Sequence, residues 1–181
     1  MTFKTRDTCR VSGGKINHLW DLGSLYLSHF YDEITLNAPR APLRIGIGEE
    51  SNLLQLLDTA ERDEMYRKYW YLSGTNQTMT KQLKDIVDIV PNWSRLEEND
   101  IVLDIGCNDG TLLNHYLAQN NIRKFGIDPA RNISELAIKN LDKYKCDYFT
   151  KNIFLNMSNG SKAKVITSIA MFYDLEDPNN F

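Results

Sequence analysis

Two carboxylates and two glycines are the residues of this chain whose types and spacing could do chemistry. The run Ile101-Val102-Leu103-Asp104-Ile105-Gly106-Cys107-Asn108-Asp109-Gly110-Thr111-Leu112-Leu113 passes from an apolar strand, through an acid, into a glycine-bearing turn. The turn opens a helix whose apolar residues include Leu112, Leu113 and Leu117. Gly106 and Gly110 let the backbone turn tightly and approach a ligand with no side chain in the way. The helix N-terminus behind them offers free N–H groups and a partial positive charge. Such a turn suits a nucleotide-like cofactor.

Spacing narrows the choice. A dinucleotide fingerprint reads G-x-G-x-x-G, with a pyrophosphate seated on the helix N-terminus. The pattern here is Asp104-x-Gly106-x-Asn108-x-Gly110, which departs from it. An acid two residues before the first glycine repels a diphosphate but suits the amino group of a zwitterion. Downstream, Phe125-Gly126-Ile127-Asp128 reads as a second strand ending in an acid. That is the usual anchor for a ribose diol, two hydroxyl donors meeting one carboxylate. Two acids, a glycine turn and no phosphate-binding lysine favour S-adenosylmethionine over NAD or ATP.

With these residues in view the chain resembles the class I methyltransferases, and within them the sugar C-methyltransferases that carry a cysteine-rich N-terminal domain. The segments that carry the resemblance are Cys9-Arg10 with Asp21-Leu22-Gly23, Tyr69-Trp70-Tyr71-x-Ser73-Gly74-Thr75-Asn76, the glycine turn, and Ile166-Thr167-Ser168-Ile169-Ala170-Met171-Phe172-Tyr173-Asp174-Leu175. The resemblance implies a Rossmann-like sheet of seven strands ordered 3-2-1-4-5-7-6. The first four, ordered 3-2-1-4, would fall within this chain. It also implies that Asp104 faces the amino end of the cofactor's methionine and that Asp128 takes the ribose hydroxyls. Phe149 would lie near the adenine, with Ser168 and Ile169 under the cofactor; Phe149 and Ile169 equally suit ordinary core packing. Asn108 stands where the commoner family pattern has a middle glycine, and asparagine tolerates positive φ better than most residues.

For catalysis the resemblance points to the Tyr69–Asn76 segment as a border of the active site. A phenol there, from Tyr69 or Tyr71, could handle a proton while a carbanion forms beside a carbonyl. The bland reading of Tyr66, Tyr69, Trp70 and Tyr71 is a cement between two domains, since aromatic residues dominate interface burial. The family's glutamate–histidine segment, with the main base, would lie beyond residue 181. Its N-terminal domain holds zinc through four cysteines in two C-x₂-C pairs. Only Cys9 survives here, with Ser12, Gly48 and Ser51 at the other three positions. One thiolate cannot hold the ion. His18 and His29 are the candidate substitutes, and the expectation is that no metal is bound. Cys107, with no histidine base nearby in sequence, reads as a small backing residue rather than a nucleophile.

The elements that must position these groups alternate from Ile101 onward, the mark of a parallel sheet with helices on its faces. Strand 101–105 leads to helix 111–119, and strand 124–127 to a helix near 130–140, with Pro129 in its first turn. A strand near 146–149 follows, then a continuous apolar strand, 164–172, of the buried parallel kind. Before the sheet, Met79, Leu83, Ile86, Val87 and Val90 mark one face of a helix that starts near Thr78 and that Pro91 ends. Residues 1–60 read as a degenerate zinc-binding-like domain, loop-rich, of short strands and turns. Residues 61–77 form an aromatic connector, and 78–181 the cofactor-binding part. Asp177-Pro178 looks like a helix start, so the chain reads as the N-terminal portion of a longer protein.

Composition bounds the rest. With 42% hydrophobic and 25% charged residues, the 181-residue chain reads as an ordinary globular protein. A formal net charge of −3 gives no electrostatic case for nucleic acid or an anionic membrane. Three scattered cysteines make no disulfide framework, and no apolar run is long enough to span a bilayer, so the expected setting is the cytoplasm. The expectation is therefore a methyltransferase portion whose full-length form C-methylates a keto sugar nucleotide. The edge of strand 164–172 would invite self-association. The rivals are a non-catalytic module that binds cofactor or partner, and an NAD-dependent oxidoreductase, against which the missing G-x-G-x-x-G and the early Asp104 count.

Overall fold

The computed structural model describes residues 3–27, 33, 37–116 and 121–181. The chain divides into two compact units, Met1–Trp70 with Asp174–Phe181, and Tyr71–Tyr173.

The second unit holds the glycine turn. Four parallel strands, β6 (Ile101–Ile105), β7 (Arg123–Ile127), β8 (Lys143–Lys145) and β9 (Val165–Thr167), lie in the order β8-β7-β6-β9. In chain order within the sheet that is 3-2-1-4, a Rossmann-like arrangement. All five residues of β6 are buried, and their alternation assigns them to two layers. Ile101, Leu103 and Ile105 join Phe125, Ile127 and Phe154, the last from α5 (Lys151–Ser158). Val102 joins the layer built by α2 (Gln77–Ile89) and α3 (Thr111–Asn114). Leu83, Val87 and Val90 are buried in that layer, with Met79 and Ile86 packed against it, so the whole predicted stripe faces the sheet. Asn76 caps α2 by accepting from the Met79 amide.

Several elements differ from the sequence reading. The last strand is three residues long rather than nine, and it is an edge: Ile166 is 57% exposed. Ala170 follows at φ 54°, outside the extended region a strand requires. The apolar residues after Thr167 do not continue the strand: Ile169 packs against the α2/α3 layer and Met171 lies beside Gly106. The third strand lies at Lys143–Lys145, earlier than 146–149. The helix after β7 is a 3₁₀ turn at Arg131–Ile133 followed by α4 (Ser134–Ile138), which leaves Pro129 in a loop. Helix α5 was not anticipated; Thr150 caps it by accepting from the Ile153 amide, and Asn159 ends it at φ 54°. The helix expected over 111–119 is the four-residue α3, which ends at Asn114 with His115 as its C-cap, and Leu117 lies outside the described residues.

In the first unit β1 (Phe3–Thr5) pairs antiparallel with β5 (Asp58–Ala60), and β2 (Ile16–Tyr26), β3 (Arg40–Gly48) and β4 (Leu54–Leu56) form an antiparallel sheet in that order. The strands are not all short: β2 has 11 residues and β3 has 9. The buried apolar cluster is small, Cys9, Ile16 and Leu57. Polar pairing supplies much of the rest. Arg44 makes a bidentate contact to Asp58 (2.7 and 2.6 Å), which also accepts from Thr5 Oγ1 at 2.7 Å. Arg6 pairs with Glu176, which ties Asp174–Phe181 into this unit, and Asn179 donates to the Val11 carbonyl. The 177–180 stretch is a turn, with Asp177 accepting from the Asn180 amide, rather than a helix. A short helix, α1 (Arg62–Tyr66), follows β5. Among the described residues, no helix is long and apolar enough to cross a membrane.

Candidate functional site

At the C-terminal end of β6 the backbone changes direction three times within five residues. Gly106 (φ 74°), Asn108 (φ 52°) and Gly110 (φ 81°) all lie in the left-handed region, which glycine and asparagine enter at least cost. The Gly106 and Cys107 amides donate back to the Ile127 carbonyl (2.8 and 3.3 Å), so the turn is pinned to the end of β7. Gly110 then starts α3. Asp109 accepts from the Thr111 amide and hydroxyl with the same oxygen, at 3.1 and 2.6 Å.

Asp128 stands at the end of β7, buried, and one of its oxygens holds this turn in place while the other caps its own loop. Oδ2 accepts from the Asn108 amide and Oδ1 from the Ala130 amide, each at 2.8 Å. Burial raises its pKa above the ordinary carboxylate value, the two amides pull it back, and Asp109 adds repulsion. Asp104 is buried on the α2/α3 side of β6 and accepts a hydrogen bond from Thr167 Oγ1 at 2.7 Å. Burial lifts its pKa to about 7; the Thr167 bond opposes the shift, and the neighbouring Asp128 reinforces it. Two carboxyls in one apolar setting resist ionising together. Cys107 is buried nearby, its thiol pushed far up by burial and by both acids, in keeping with a packing role.

The remaining predicted residues distribute unevenly. Phe149 packs against the β6/β7 layer on the α5 side, and Ile169 against the α2/α3 layer. The Ser168 hydroxyl is buried and has no hydrogen-bond partner among the described residues. Tyr71 belongs to the sheet unit, where its carbonyl accepts from Asn108 Nδ2 at 2.9 Å. Tyr69 belongs to the other unit, its ring centroid 6.1 Å from those of Tyr66 and Trp70. Asn76 serves as a helix cap.

Four contacts escaped the sequence reading. Thr167 is the partner of Asp104. Met171 lies over the first glycine: a Cβ on Gly106 would stand 3.2 Å from Met171 Cγ. The Ser73 and Gly74 amides donate to Asn108 Oδ1 (3.0 Å) and Asp109 Oδ2 (2.8 Å). The only advance signal was that Asn108-Asp109 puts two side chains able to accept from backbone amides at the tip of a turn that glycine could have made.

In the N-terminal unit the four positions that the resemblance assigns to zinc ligands do come together. Cys9 Sγ is 3.1 Å from Ser51 Oγ, and a Cβ on Gly48 would meet both, at 2.9 and 2.6 Å. Burial works against ionising the Cys9 thiol. The Ser12 amide and the Ser51 and Ser12 hydroxyls outweigh it and bring the pKa to about 7. His18 is exposed on β2, and His29 lies outside the described residues.

An S-adenosylmethionine-like ligand is consistent with this donor set. Each oxygen of Asp128 has a lone pair beyond its amide bond, so the carboxylate can accept two further donors. Asp104 is a buried acid whose charge a ligand cation would stabilise. Two shallow hollows, of about 350 and 300 Å³, are lined by Arg95–Glu98 with Asn121, and by Lys145, Ile153, Asn156 and Met157. Neither is lined by a residue of the turn.

The chain is a distant relative of C-methyltransferase NovU from Streptomyces niveus, 27% identical over 96 residues. The match takes in 53% of this chain and 23% of that protein, so the shared segment is under a quarter of the relative's length. No family model matches. Among solved structures, a chain of the complex containing the Haloferax volcanii Trm112 methyltransferase activator is 22% identical, with 38% of this chain and 34% of that one covered and a TM-score of 0.29. The [4+2]-cyclase SpnF is 16% identical, with 60% and 34% covered and a TM-score of 0.27. The chain resembles class I S-adenosylmethionine-dependent methyltransferases.

Proposed function

We propose that this chain binds S-adenosylmethionine as part of a methyltransferase acting on a carbon of a keto sugar nucleotide. One observation carries the reading: Asp128, at the end of β7, is fastened to the Gly106–Gly110 turn of the adjacent parallel strand by the Asn108 amide. A ribose acceptor and a close-approach backbone are thereby held as one piece. The likeness to a C-methyltransferase supports the reaction class.

The cofactor, when bound, supplies an electrophilic methyl group. The chain's own residues do the holding. Asp128 would accept the two ribose hydroxyls with the lone pairs left over from its amide bonds. Asp104 would take the ammonium of the methionine portion, giving up near neutrality the proton that burial makes it keep. Thr167 holds Asp104 in place. Tyr71 is the phenol of the sheet unit closest in sequence to the segment fastened on the turn, and it is the proton-handling candidate in preference to Tyr69.

Titration calorimetry tests the binding. S-adenosylhomocysteine should bind and NAD should not. Asp128→Ala should weaken binding by about 1.5–3 kcal/mol, the worth of hydrogen bonds to a charged group. Because Asp128 also braces the turn, Asp128→Asn, which keeps one acceptor, should fall between the two. Equal affinity for NAD, or unchanged affinity in Asp128→Ala, would overturn the reading.

A further inference from the structure

The glycine turn is fastened from outside as well as from β7. Tyr71, Ser73 and Gly74 lie ahead of α2, more than 30 positions from the turn in sequence, and three hydrogen bonds bind them to its tip. Asn108 Oδ1 accepts from the Ser73 amide at 3.0 Å, Asn108 Nδ2 donates to the Tyr71 carbonyl at 2.9 Å, and Asp109 Oδ2 accepts from the Gly74 amide at 2.8 Å. Asn108 is buried, with 7% of its surface exposed. The Asn108 amide is meanwhile held by Asp128. One residue thus joins the 71–74 strap to the proposed ribose anchor through a continuous path: Asp128 carboxylate, Asn108 backbone, Asn108 carboxamide, strap.

The fit leaves little slack. A Cβ on Gly74 would stand 2.9 Å from Thr111 Oγ1 and 3.0 Å from Asp109 Oδ2, so only glycine lets the strap lie this close to the start of α3. The positive φ at Asn108 is one that glycine would adopt more cheaply. Its side chain therefore supplies what glycine lacks, an acceptor and a donor set on one carboxamide and matched to an amide and a carbonyl two residues apart.

We propose that Asn108 is a positioning residue. It latches the Tyr71–Gly74 strap onto the cofactor turn, so that filling the site at Asp128 tightens the strap and, with it, the placement of Tyr71. The coupling to ligand rests on the S-adenosylmethionine reading; the latch itself does not.

Residue-resolved amide hydrogen exchange on the full chain separates the two. Without ligand, Asn108→Gly relieves the backbone and removes both side-chain bonds, so the Ser73 amide should exchange roughly tenfold faster. Amides of β6 and β7 should be unchanged. Asn108→Asp keeps the acceptor for Ser73 and loses the donor to Tyr71, so it should restore most of the Ser73 protection. With S-adenosylhomocysteine, Ser73 and Gly74 should gain protection in the wild type and in Asn108→Asp, but not in Asn108→Gly. Unchanged Ser73 exchange in Asn108→Gly would overturn the latch. Loosened Ser73 with ligand protection that survives in Asn108→Gly would overturn the coupling. Should S-adenosylhomocysteine fail to bind any of the three, the cofactor reading falls, while the unliganded exchange still decides the latch.

Discussion

The two units of this chain are held by opposite means. In the sheet unit all five residues of the central strand are buried, between two apolar layers, and the acids in this interior are raised in pKa. In the N-terminal unit the buried apolar cluster has three members, and carboxylates paired with arginine take up much of the work. Asp58 is held low by the Arg44 bond; Glu176 is held low by Arg6 in spite of partial burial. Asp174, raised by burial, is the exception in that unit. One unit is built around acids that are hard to ionise, the other around acids that are hard to protonate. The contrast marks the N-terminal unit's paired acids as structural ties, and it fits the proposal that Asp104 and Asp128 meet a ligand.

The largest effect that would sharpen this comparison is a truncation in each core. Leu113 has no exposed surface and sits among Leu112, Val87 and Val102; Leu57 is almost as buried but has Cys9, Ile16 and Leu53 for neighbours. Leu113→Ala should cost close to 5 kcal/mol, the top of the usual range, because a layer packed on both sides cannot collapse into the void. Leu57→Ala should fall nearer about 2 kcal/mol, because a small sheet can relax. Denaturant melts followed by residue-resolved exchange would read each unit separately. Equal losses would mean that the N-terminal core is tighter than its size suggests.

Parts of the fold were legible because they are local and periodic. Strands β6 and β7 follow from short apolar runs ahead of an acid, and the α2 stripe from apolar residues at a period of 3.6. The turn and Asp128 were legible because glycine spacing is a sequence property. What pairs across distance was not. Asn108 meets Tyr71 and Ser73 from more than 30 positions away, and Thr167 meets Asp104 from 63, and no pattern announces either. The apolar run after Thr167 misled, since Met171 lies beside Gly106 rather than in a strand. Helix α5 was missed because eight residues give a weak period, although Thr150, a residue type that favours the N-cap, was the available signal.

A smaller effect separates the units by pH. Asp104 remains protonated in the fold to about pH 7, whereas an unfolded aspartate ionises near 3.9. Between those values the folded state binds more protons, so the stability of the sheet unit should fall as pH rises from about 4 to about 7. Asp128 acts in the same direction. Asp58 and Glu176 are lowered, so their contribution is present above the unfolded carboxylate pKa and is lost as pH drops through the folded value. The sheet unit should therefore gain protection from exchange between pH 8 and pH 5, and the N-terminal unit should lose it below about pH 4. Asp104→Asn should flatten the first slope and stabilise the sheet unit at pH 8 by up to about 4 kcal/mol, at 1.36 kcal/mol per pKa unit. A slope that survives Asp104→Asn intact would move the linkage to Asp128.

The smallest effect lies at two helix starts. In the sheet unit Thr150 is extended (φ −141°, ψ 152°) and its side chain accepts from the Ile153 amide at 3.2 Å, closing one of the free N–H groups of α5. At the corresponding place in the N-terminal unit Glu61 precedes α1 and makes no capping bond, although Asp63 and Glu64 lie in the first turn, where acids complement the helix dipole. Thr150→Ala should cost about 1 kcal/mol, and Thr150→Ser almost nothing, because the serine hydroxyl can accept from the same amide. Glu61→Ala should leave the melt within about 0.5 kcal/mol of wild type, as for a surface change away from any cap or core. Urea melts at constant pH, with the slope checked for each variant, resolve differences of this size when fitted together. An equal cost at both sites would mean that Glu61 caps α1 in solution, and that the N-terminal unit takes more of its order from local hydrogen bonding than its long-range ion pairs suggest.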